Sequence, residues 1–551
     1  MTTKTKFRTA LLMTVSAGLL AACGGSGDVD SDLVTLHRGN SAEPLTLDPH
    51  KASGTWENNI IGDMFIGLFT DDVYGSPIPG MAESWEVSED GLTWTFELRE
   101  ATWSDGVPVT AHDFEYAIQR ILAPATLAQY ASLLYPIENA QAVNQGEMPP
   151  EAVGVEAVDD DTFVIRLENP APYLPGLLTH YTTFPVPRHV VEEVGDQWVQ
   201  PEHIEVNGPY QLVQWSTNNF VHVERNELFF DNENVCIDEV FYYPTVDSSA
   251  GVRRVQNDEL HVNNEFPGQH IDRLRREIPE YVRVYPYMGT VYFSMNNDIE
   301  MFSDVRVRNA LGMAINREFL ADEIYRDGRA AAYSLVPPNV ANYAGGVSTE
   351  WADWPMEQRR ERARELLVEA GYGPDNPLEF EYTHRSTGDN PRIAPVVQQD
   401  WESIADWVNV EIVQIETQIH YENLRSADYQ IGDGGWIADY NDPYNFLFLA
   451  EERSIPMNYS RYRNAEYDDL LARGNRELDM EVRASLLAEA EQAMIDDMPL
   501  IPIVFYVNRA VVSPDVTGWE DNVVHIHRTR FMCLNSAQTA DAGSSGDTAS
   551  E

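Results

Sequence analysis

A run of residues, 430–445, combines three kinds of group that could bind a ligand. It contains three glycines: Gly432, Gly434 and Gly435. Without side chains, these positions leave the main chain open to close approach by a ligand. Trp436 supplies a large flat surface, and Asp439 supplies a carboxylate three residues later. Such a set suits a ligand that has its own backbone and a positive end, as a peptide has.

The same run also fits a purely structural role. A glycine-rich turn with a core tryptophan and a capping aspartate would have this composition, and Asp442–Pro443 would end the preceding element. The residues of the run alone favour this structural interpretation.

The sequence has none of the local enzyme signatures we looked for. It lacks the His-Glu-x-x-His and Gly-x-Ser-x-Gly patterns, paired Cys-x-x-Cys and a glycine-rich phosphate loop. His525 and His527 would share one face of a strand, where a metal could bind, but a structural role is the simpler interpretation. We therefore predict a protein that is not an enzyme and has no metal and no cofactor. A secreted hydrolase stays open as an alternative, because two carboxylates can act without a local motif.

Helix and strand patterns alternate along the chain and would position these groups. In the first half, Leu92–Leu98 alternates apolar and polar residues as a half-buried strand does, and Thr110 begins a helix. In the second half we expect helices that begin at Asp304 and Pro355. Further helices and strands are expected there at 395–408, 410–415, 482–494 and 501–507. This alternation predicts an α/β fold.

Length and charge narrow the class of protein. At 551 residues the chain is long enough for roughly three domains. The net charge of −52 argues against nucleic acid as a partner, because a phosphate backbone would be repelled. The acidic residues are scattered rather than grouped, as expected for a solvated surface.

The first residues have the pattern of a targeting segment. Basic residues precede Ala10–Leu20, an apolar run too short for a membrane-spanning helix. The sequence Leu20-Ala21-Ala22-Cys23 is similar to a bacterial lipobox, which predicts a lipoprotein signal peptide at 1–22 and lipid on Cys23. Residues 23–32 would form a flexible tether. The alternative is an ordinary secretory peptide with an incidental cysteine.

Several motifs in order resemble one family over nearly the whole mature chain. The main one is Trp436–Pro443, Trp-Ile-Ala-Asp-Tyr-Asn-Asp-Pro. The others are Glu43–His50, Ala82–Trp85, Trp103–Phe114, Gly208–Tyr210 and Phe302–Arg308. Together they resemble the oligopeptide-binding proteins, the family 5 solute-binding subunits of peptide ABC importers.

The resemblance implies an α/β, two-lobed periplasmic-binding-protein fold of type II, the Venus flytrap, with an extra third domain. Domain I would combine 33–55, 181–288 and 508–534. Domain II, an extension, would be 56–180, and domain III, the second ligand-binding lobe, would be 289–507. Residues 535–551 read as a disordered tail. The resemblance also implies a disulfide between Cys236 and Cys533, and two buried free thiols are the alternative.

The resemblance also suggests how a peptide would be held between the lobes. Asp439 would bind its α-amino group, and Gly435 and Ile437 would offer backbone groups. Trp436 would pack on the ligand. Two further residues would line its side-chain pockets: Tyr130 and Glu43. Core packing is the alternative for Tyr130.

The sequence departs from the family where the ligand carboxylate is bound. An arginine usually precedes the Gly-Trp pair, and Asp433 stands at that place, which reverses the charge. Asn390 and Gln418 replace a histidine and a tryptophan. Arg425 is the only nearby basic candidate that we identify. We therefore expect a changed ligand length or chemistry, such as longer peptides, amidated ends or a cell-wall fragment.

The resulting prediction is a lipid-anchored, monomeric binding protein at the periplasmic or outer face of the cell envelope. It would capture short peptides, close its lobes over them and deliver them to the permease subunits of an ABC importer. The alternative within the same fold is a non-peptide ligand such as a sugar, haem or metal chelate.

Overall fold

The computed structural model describes residues 33–535. The expected signal peptide, tether and lipidated Cys23, and the tail after residue 535, lie outside the described residues. The strands are β1 Thr35–Gly39, β2 Phe69–Asp71, β3 Pro77–Pro79, β4 Ala82–Val87, β5 Thr93–Leu98, β6 Val155–Ala157, β7 Thr162–Arg166, β8 Tyr210–Ser216, β9 Phe220–Arg225, β10 Glu239–Tyr243, β11 Val262–Asn263, β12 Val282–Met295, β13 Ala330–Ala331, β14 Leu378–Arg385, β15 Val408–Ile415, β16 Ile431–Ile437, β17 Leu500–Val512, β18 Val516–Thr517 and β19 Cys533–Leu534.

Helices alternate with the strands along the chain. They are α1 Thr55–Met64, α2 Ala111–Leu122, α3 Ala140–Asn144, α4 Leu174–Leu177, α5 Arg188–Val194, α6 Ser248–Gln256, α7 Ile271–Glu277, α8 Glu300–Ser303, α9 Val305–Ala314, α10 Arg317–Phe319, α11 Met356–Glu369, α12 Asn390–Glu402, α13 Thr417–Ser426, α14 Tyr444–Leu447, α15 Ala465–Arg476 and α16 Met480–Asp497. Among residues 33–535, no helix has the length and apolar character needed to cross a membrane.

One large mixed sheet runs through the molecule. Its strand order is β15-β14-β16-β12-β17-β11-β1-β10-β9-β8, and β13 also pairs with β17. The two long strands β12 and β17 lie at its centre and pair on both sides of an irregularity between Pro286 and Thr290. The sheet therefore has two halves that share only these two strands: the first half contains β11, β1, β10, β9 and β8, and the second half contains β16, β14 and β15.

Each half of the sheet packs its own helices. On one side, β12, β14 and β15 share a hydrophobic core with α9, α11 and α12, in which Phe293, Tyr382 and Trp401 are buried. On the other side, Leu36 and Val240 share a core with the small antiparallel sheet β4-β5-β7-β6. In that small sheet Trp94, Phe96 and Leu98 are buried, as their alternation predicts.

Several local predictions are confirmed at the residues that determine them. The Asp304 carboxylate accepts the backbone N–H of Arg306 at the start of α9, and Asp113 accepts the N–H of Thr110 at the start of α2. Gly371, which follows α11, has a φ of 96°, a conformation that glycine adopts without steric cost.

Two local predictions are wrong. The helix expected from residue 395 begins at Asn390, because Pro391 sits in the first turn, where a missing N–H costs nothing, and the helix continues through Pro395. The glycine-rich run is not a turn, since Ile431–Ile437 forms strand β16 in the large sheet.

The carboxyl-terminal segment is tied to the first half of the sheet. The sulfur atoms of Cys236 and Cys533 are bonded, with 5.2 Å between their Cα atoms. Nearby, the Asp238 carboxylate accepts the N–H of Val34. The bond joins positions 297 residues apart in the sequence. The first strand and the last described strand therefore meet in one half of the molecule, and the domain boundaries given above stay a prediction.

Candidate ligand-binding cleft

Strand β16 has one unpaired edge. On one side it pairs with β12 over its whole length, from Ile431 to Ile437. On the other side it pairs with β14 only at Ile431 and Gly432. Residues 433–437 therefore have a strand on one side only, among the described residues.

The hydrogen bonds show which backbone groups face this edge. The N–H of Ala438 donates to the carbonyl of Met288, so Ala438 faces β12. In an antiparallel pair, the residues that bond to the partner alternate with residues that face away. Gly435 and Ile437 therefore direct their N–H and C=O groups to the free edge. Asp433 faces the same way, and its carbonyl accepts from His420 Nε2 at 2.7 Å.

The glycines of β16 are explained by packing against tyrosines. A Cβ atom at Gly434 would lie 2.8 Å from the ring of Tyr292, and one at Gly435 would lie 2.7 Å from the hydroxyl of Tyr506. Contacts this short do not occur at real Cβ atoms, so the neighbouring ring would have to move. The bare positions thus bring Tyr506 close to the free edge.

Asp439 follows the strand and faces the cleft. Solvent reaches its side chain, but the surrounding protein restricts hydration, and this burial raises the pKa of Asp439 to about 6. Its carboxylate has no hydrogen-bond or ion-pair partner within residues 33–535. Burial and the Asp439 charge raise the pKa of Tyr130, so these two side chains lie close together. An unpaired, poorly hydrated carboxylate at the end of a free edge is suited to bind a cation.

Two cavities meet at Asp439, Tyr130 and Tyr440. The larger, about 720 Å³, lies between residues of the segments 129–177 and 436–457, and its lining is rich in aromatic and apolar side chains. These include Leu133, Tyr135, Trp436, Phe448 and Met457. The smaller, about 300 Å³, is more polar. Its lining includes Asn59, Asp71, His180, Tyr287, Ile437 and His525.

Asp433 does not present a free negative charge to this space. Its side chain is buried, and the main-chain N–H and Nε of Arg385 both donate to its oxygens at 2.7 Å. The expectation that Asp433 reverses the charge at the ligand therefore needs correction, because Arg385 neutralises it. The two residues are 48 positions apart in the sequence, so no local motif shows the pair.

Two basic side chains lie at this end of the strand, and each already faces a carboxylate: Arg385 pairs with Asp433, and Arg329 lies 3.3 Å from Asp327 and 3.7 Å from Asp389. The Arg385 guanidinium lies 5.3 Å above the ring of Tyr421 and is 18% exposed. That of Arg329 lies 5.1 Å above the ring of Tyr506, the tyrosine beside Gly435, and is 16% exposed. The sequence alone suggests Arg425 as the only basic candidate. The structure adds Arg385 and Arg329, which lie near the free edge.

The other predicted ligand residues have varied surroundings. Trp436 lines the larger cavity, where its Nε1 donates to Asn445 Oδ1. Glu43 accepts a hydrogen bond from Trp215 Nε1. The remaining three are Gln418 and Arg425, both exposed on α13, and Asn390, at the start of α12. Glu43, Gln418, Arg425 and Asn390 line neither of the two cavities, and their contact with a ligand stays a prediction.

The loop that carries Asp439 is held from both sides. Asp442, which the sequence marks only as the end of an element, forms a buried pair of hydrogen bonds with Arg483 at 2.6 and 2.8 Å. Asn441 Nδ2 donates to the carbonyl of Gly75, which lines the smaller cavity together with Asn441. These contacts anchor the loop at the residues that follow Asp439.

His525 and His527 form a buried polar group with Tyr285. The tyrosine hydroxyl lies 2.7 Å from His525 Nδ1 and 2.9 Å from His527 Nε2. Burial lowers the pKa of His525 to about 4. One ring nitrogen of each histidine thus contacts the Tyr285 hydroxyl, and His525 Nε2 lies 3.2 Å from the carbonyl of Asn264, in line with a structural role.

The sequence matches the profile of the bacterial extracellular solute-binding proteins, family 5 (middle), over residues 76–453. The chain belongs to this family. The periplasmic oligopeptide-binding protein OppA of Salmonella typhimurium is 37% identical over 524 residues, which is 92% of this chain and 95% of that protein. Members of family 5 are binding proteins rather than enzymes, in agreement with the prediction from the sequence.

Two solved structures define the fold and its state. The unliganded open form of the periplasmic murein tripeptide-binding protein MppA has a TM-score of 0.86 at 31% identity, with 92% of this chain and 98% of that chain covered. OppA of Haemophilus influenzae in complex with the peptide RPPGFSPFR has a TM-score of 0.69 at 34% identity, with 91% and 99% covered. The predicted two-lobed type II fold is confirmed. The better match to an open form, despite lower identity, indicates that the cleft of this chain is open.

Proposed function

We propose that this family 5 protein is an extracytoplasmic receptor for peptides, which it delivers to an ABC importer. The observation that carries the proposal is the free edge of β16, which ends in the unpaired carboxylate of Asp439. An extended peptide can add to such an edge as a further strand, and its backbone then supplies affinity for many sequences.

The amino end of the ligand binds at Asp439. A peptide ammonium group pairs with this carboxylate, and the closing lobes exclude the water that would screen the contact. Gly435 and Ile437 exchange backbone hydrogen bonds with the peptide. Trp436 and Tyr130, which both line the larger cavity, pack against its side chains.

The carboxyl end of the ligand binds near Arg385 and Arg329. Six strand positions separate Asp439 from Asp433, the residue that holds Arg385. At about 3.3 Å per residue this distance is roughly 20 Å. A ligand that reaches both ends is therefore on the order of five or six residues long, and bridging water fills the space beside variable side chains.

Closure of the cleft uses the two strands shared by both halves. Residues 287–289 interrupt the pairing of β12 with β17, so the backbone there is free to change its twist. These residues coincide with the proposed boundary between domains I and III at 288 and 289. The protein acts as a monomer, anchored by lipid on Cys23 in the periplasm or at the outer face of the cell envelope.

A peptide from the cell wall is a second candidate ligand. The match to the open form of a murein tripeptide-binding protein favours it. Such a ligand has extra carboxylates. Arg385 and Arg329 could bind these carboxylates, just as they could bind the carboxyl end of a simple peptide.

Native mass spectrometry of the purified protein, followed by release of bound molecules, tests the proposal. A ladder of peptide masses of about five or six residues supports the receptor for general peptides. A single mass that contains diaminopimelate supports the cell-wall ligand. A bound sugar or haem overturns both.

A further inference from the structure

Two glutamates face each other on the outer part of the large sheet without a basic partner. Glu224 of β9 lies directly opposite Glu239 of β10. Like charges at opposed positions of antiparallel strands destabilise the pair. No lysine or arginine of the described residues lies within ion-pair distance of either carboxylate. The only charged partner found for Glu239 is His222, and Glu224 has none.

His222 is directed at this pair of carboxylates. It lies two positions before Glu224 on the same face of β9, and its Nε2 is 3.5 Å from Glu239 Oε1. Solvent does not reach this Nε2 atom, and it has no hydrogen-bond partner among the described residues. The side chain is 11% exposed, and its ring stacks on Phe241 at 4.1 Å. A buried imidazole nitrogen that makes no hydrogen bond is costly, and a metal ion would satisfy it.

We propose that His222, Glu224 and Glu239 bind a divalent transition-metal ion of the zinc class. One donor atom of each residue lies within 4.8 Å of the other two. Bonds of about 2.0–2.2 Å in a tetrahedron need donors about 3.4 Å apart, and rotation of the two glutamate side chains provides this change. Water completes the coordination.

The surrounding groups support this choice of metal. The Thr35 hydroxyl donates to Glu239 Oε2 at 3.1 Å, which leaves Oε1 for the metal and fixes the carboxylate. One imidazole and two carboxylates form a set that zinc accepts, whereas magnesium and calcium prefer oxygen donors alone. No local motif marks this site, because the third ligand comes from the neighbouring strand, 15 residues after Glu224.

The site is separate from the peptide cleft. None of its three residues lines either cavity next to Asp439. Both strands belong to the first half of the sheet, and a metal ion would join them across their pairing. We therefore expect bound metal to raise the stability of that half and to leave peptide affinity unchanged.

Calorimetric titration of the chelator-treated full-length protein with Zn²⁺, in an excess of Mg²⁺, tests the site. The expected result is one saturable site of micromolar affinity or better, together with a higher thermal midpoint. Glu224→Gln keeps the shape and should weaken this binding at least tenfold, and His222→Gln should abolish it. Glu227→Gln, an exposed acidic position nearby, is the matched control and should bind as the native protein does.

Other outcomes overturn the proposal. One is the absence of a saturable Zn²⁺ site in the native protein. Another is Zn²⁺ binding that survives Glu224→Gln, which would show that zinc binds at other acidic groups. In either case, His222 is simply an ion-pair partner of Glu239. Because Glu224→Gln removes one of two facing charges, the variant should fold, and a thermal scan in chelator verifies this.

Discussion

Arg385 and Asp433 are joined by two hydrogen bonds at the point where β14 leaves β16. The main-chain N–H and Nε of Arg385 each donate to a different oxygen of the buried Asp433 carboxylate, both at 2.7 Å. Beyond this point β16 has no second neighbour, so the pair marks where the free edge begins. It also keeps a guanidinium beside that edge, where a ligand carboxylate could reach it.

Replacing Arg385 should therefore affect both stability and ligand choice. Arg385→Gln leaves the buried Asp433 charge without its guanidinium, beside only the main-chain N–H of residue 385 and His420, which costs at most roughly 3–5 kcal/mol of the free energy of unfolding. It should also reduce the preference for peptides with a free carboxyl end over amidated peptides. Urea unfolding and calorimetry with both peptide forms measure these effects.

The double variant and a matched arginine separate the two effects. Arg385→Gln with Asp433→Asn removes the buried charge, so stability should recover while the carboxylate preference stays lost. Arg425→Gln, at an exposed position on α13, should change neither property. If Arg425→Gln alone abolishes the carboxylate preference, the assignment to Arg385 is wrong.

Peptide affinity should depend on pH through Asp439. Burial raises its pKa to about 6, and only the ionised form pairs with an ammonium group. Affinity should therefore fall by up to about tenfold per pH unit as the pH drops below 6. Above about pH 8 it should fall again, because the peptide amino group loses its proton.

Calorimetry of penta-alanine between pH 4.5 and 9 measures this profile. The control is acetylated penta-alanine, which has no ammonium group and should bind weakly. Its affinity should not fall below pH 6 through protonation of Asp439. An acid limb that persists in Asp439→Asn would assign the titration to another group.

Much of the fold follows from local patterns in the sequence, but the free edge does not. The alternation of Trp94, Phe96 and Leu98 predicts a strand, and Asp304 predicts where a helix begins, because both depend on near neighbours. Ile431–Ile437 lacks such a pattern, since three glycines interrupt it. Its strand state is determined by pairing with β12, more than a hundred residues away.

The ligand residues divide in the same way. Asp439 and Trp436 lie within one motif, and the resemblance locates them at the cleft. Arg385 is missed because its role depends on Asp433, and on the meeting of β14 with β16. Such a partner cannot be identified from sequence positions until the order of strands in the sheet is known.

Stability should depend on pH through Glu491, a residue outside the cleft. Its carboxylate accepts the N–H groups of Leu335 and Val336, and burial raises its pKa to about 8. The folded state therefore holds a proton that the unfolded chain releases above about pH 4.3. As the pH rises from there to 8, this group alone should lower the free energy of unfolding by up to about 1.4 kcal/mol per unit.

Glu491→Gln should remove this dependence. The glutamine oxygen can accept the same two N–H groups, and no proton is released on unfolding. Urea unfolding of both proteins at pH 6 and 8 should show that the free energy of unfolding falls less between these pH values for the variant than for the native protein. Equal losses in the two proteins would mean that Glu491 is ionised in the folded state.

The central claim is that the free edge of β16 holds a peptide whose amino group pairs with Asp439. The most direct measurement is a calorimetric cycle: native protein and Asp439→Asn, each with penta-alanine and its acetylated form. We predict that the native protein prefers the free amine by roughly 10- to 150-fold, the value of a hydrogen bond to a charged group, and that the variant loses this preference. An equal preference in both proteins would show that the amino group binds elsewhere, and would contradict the account.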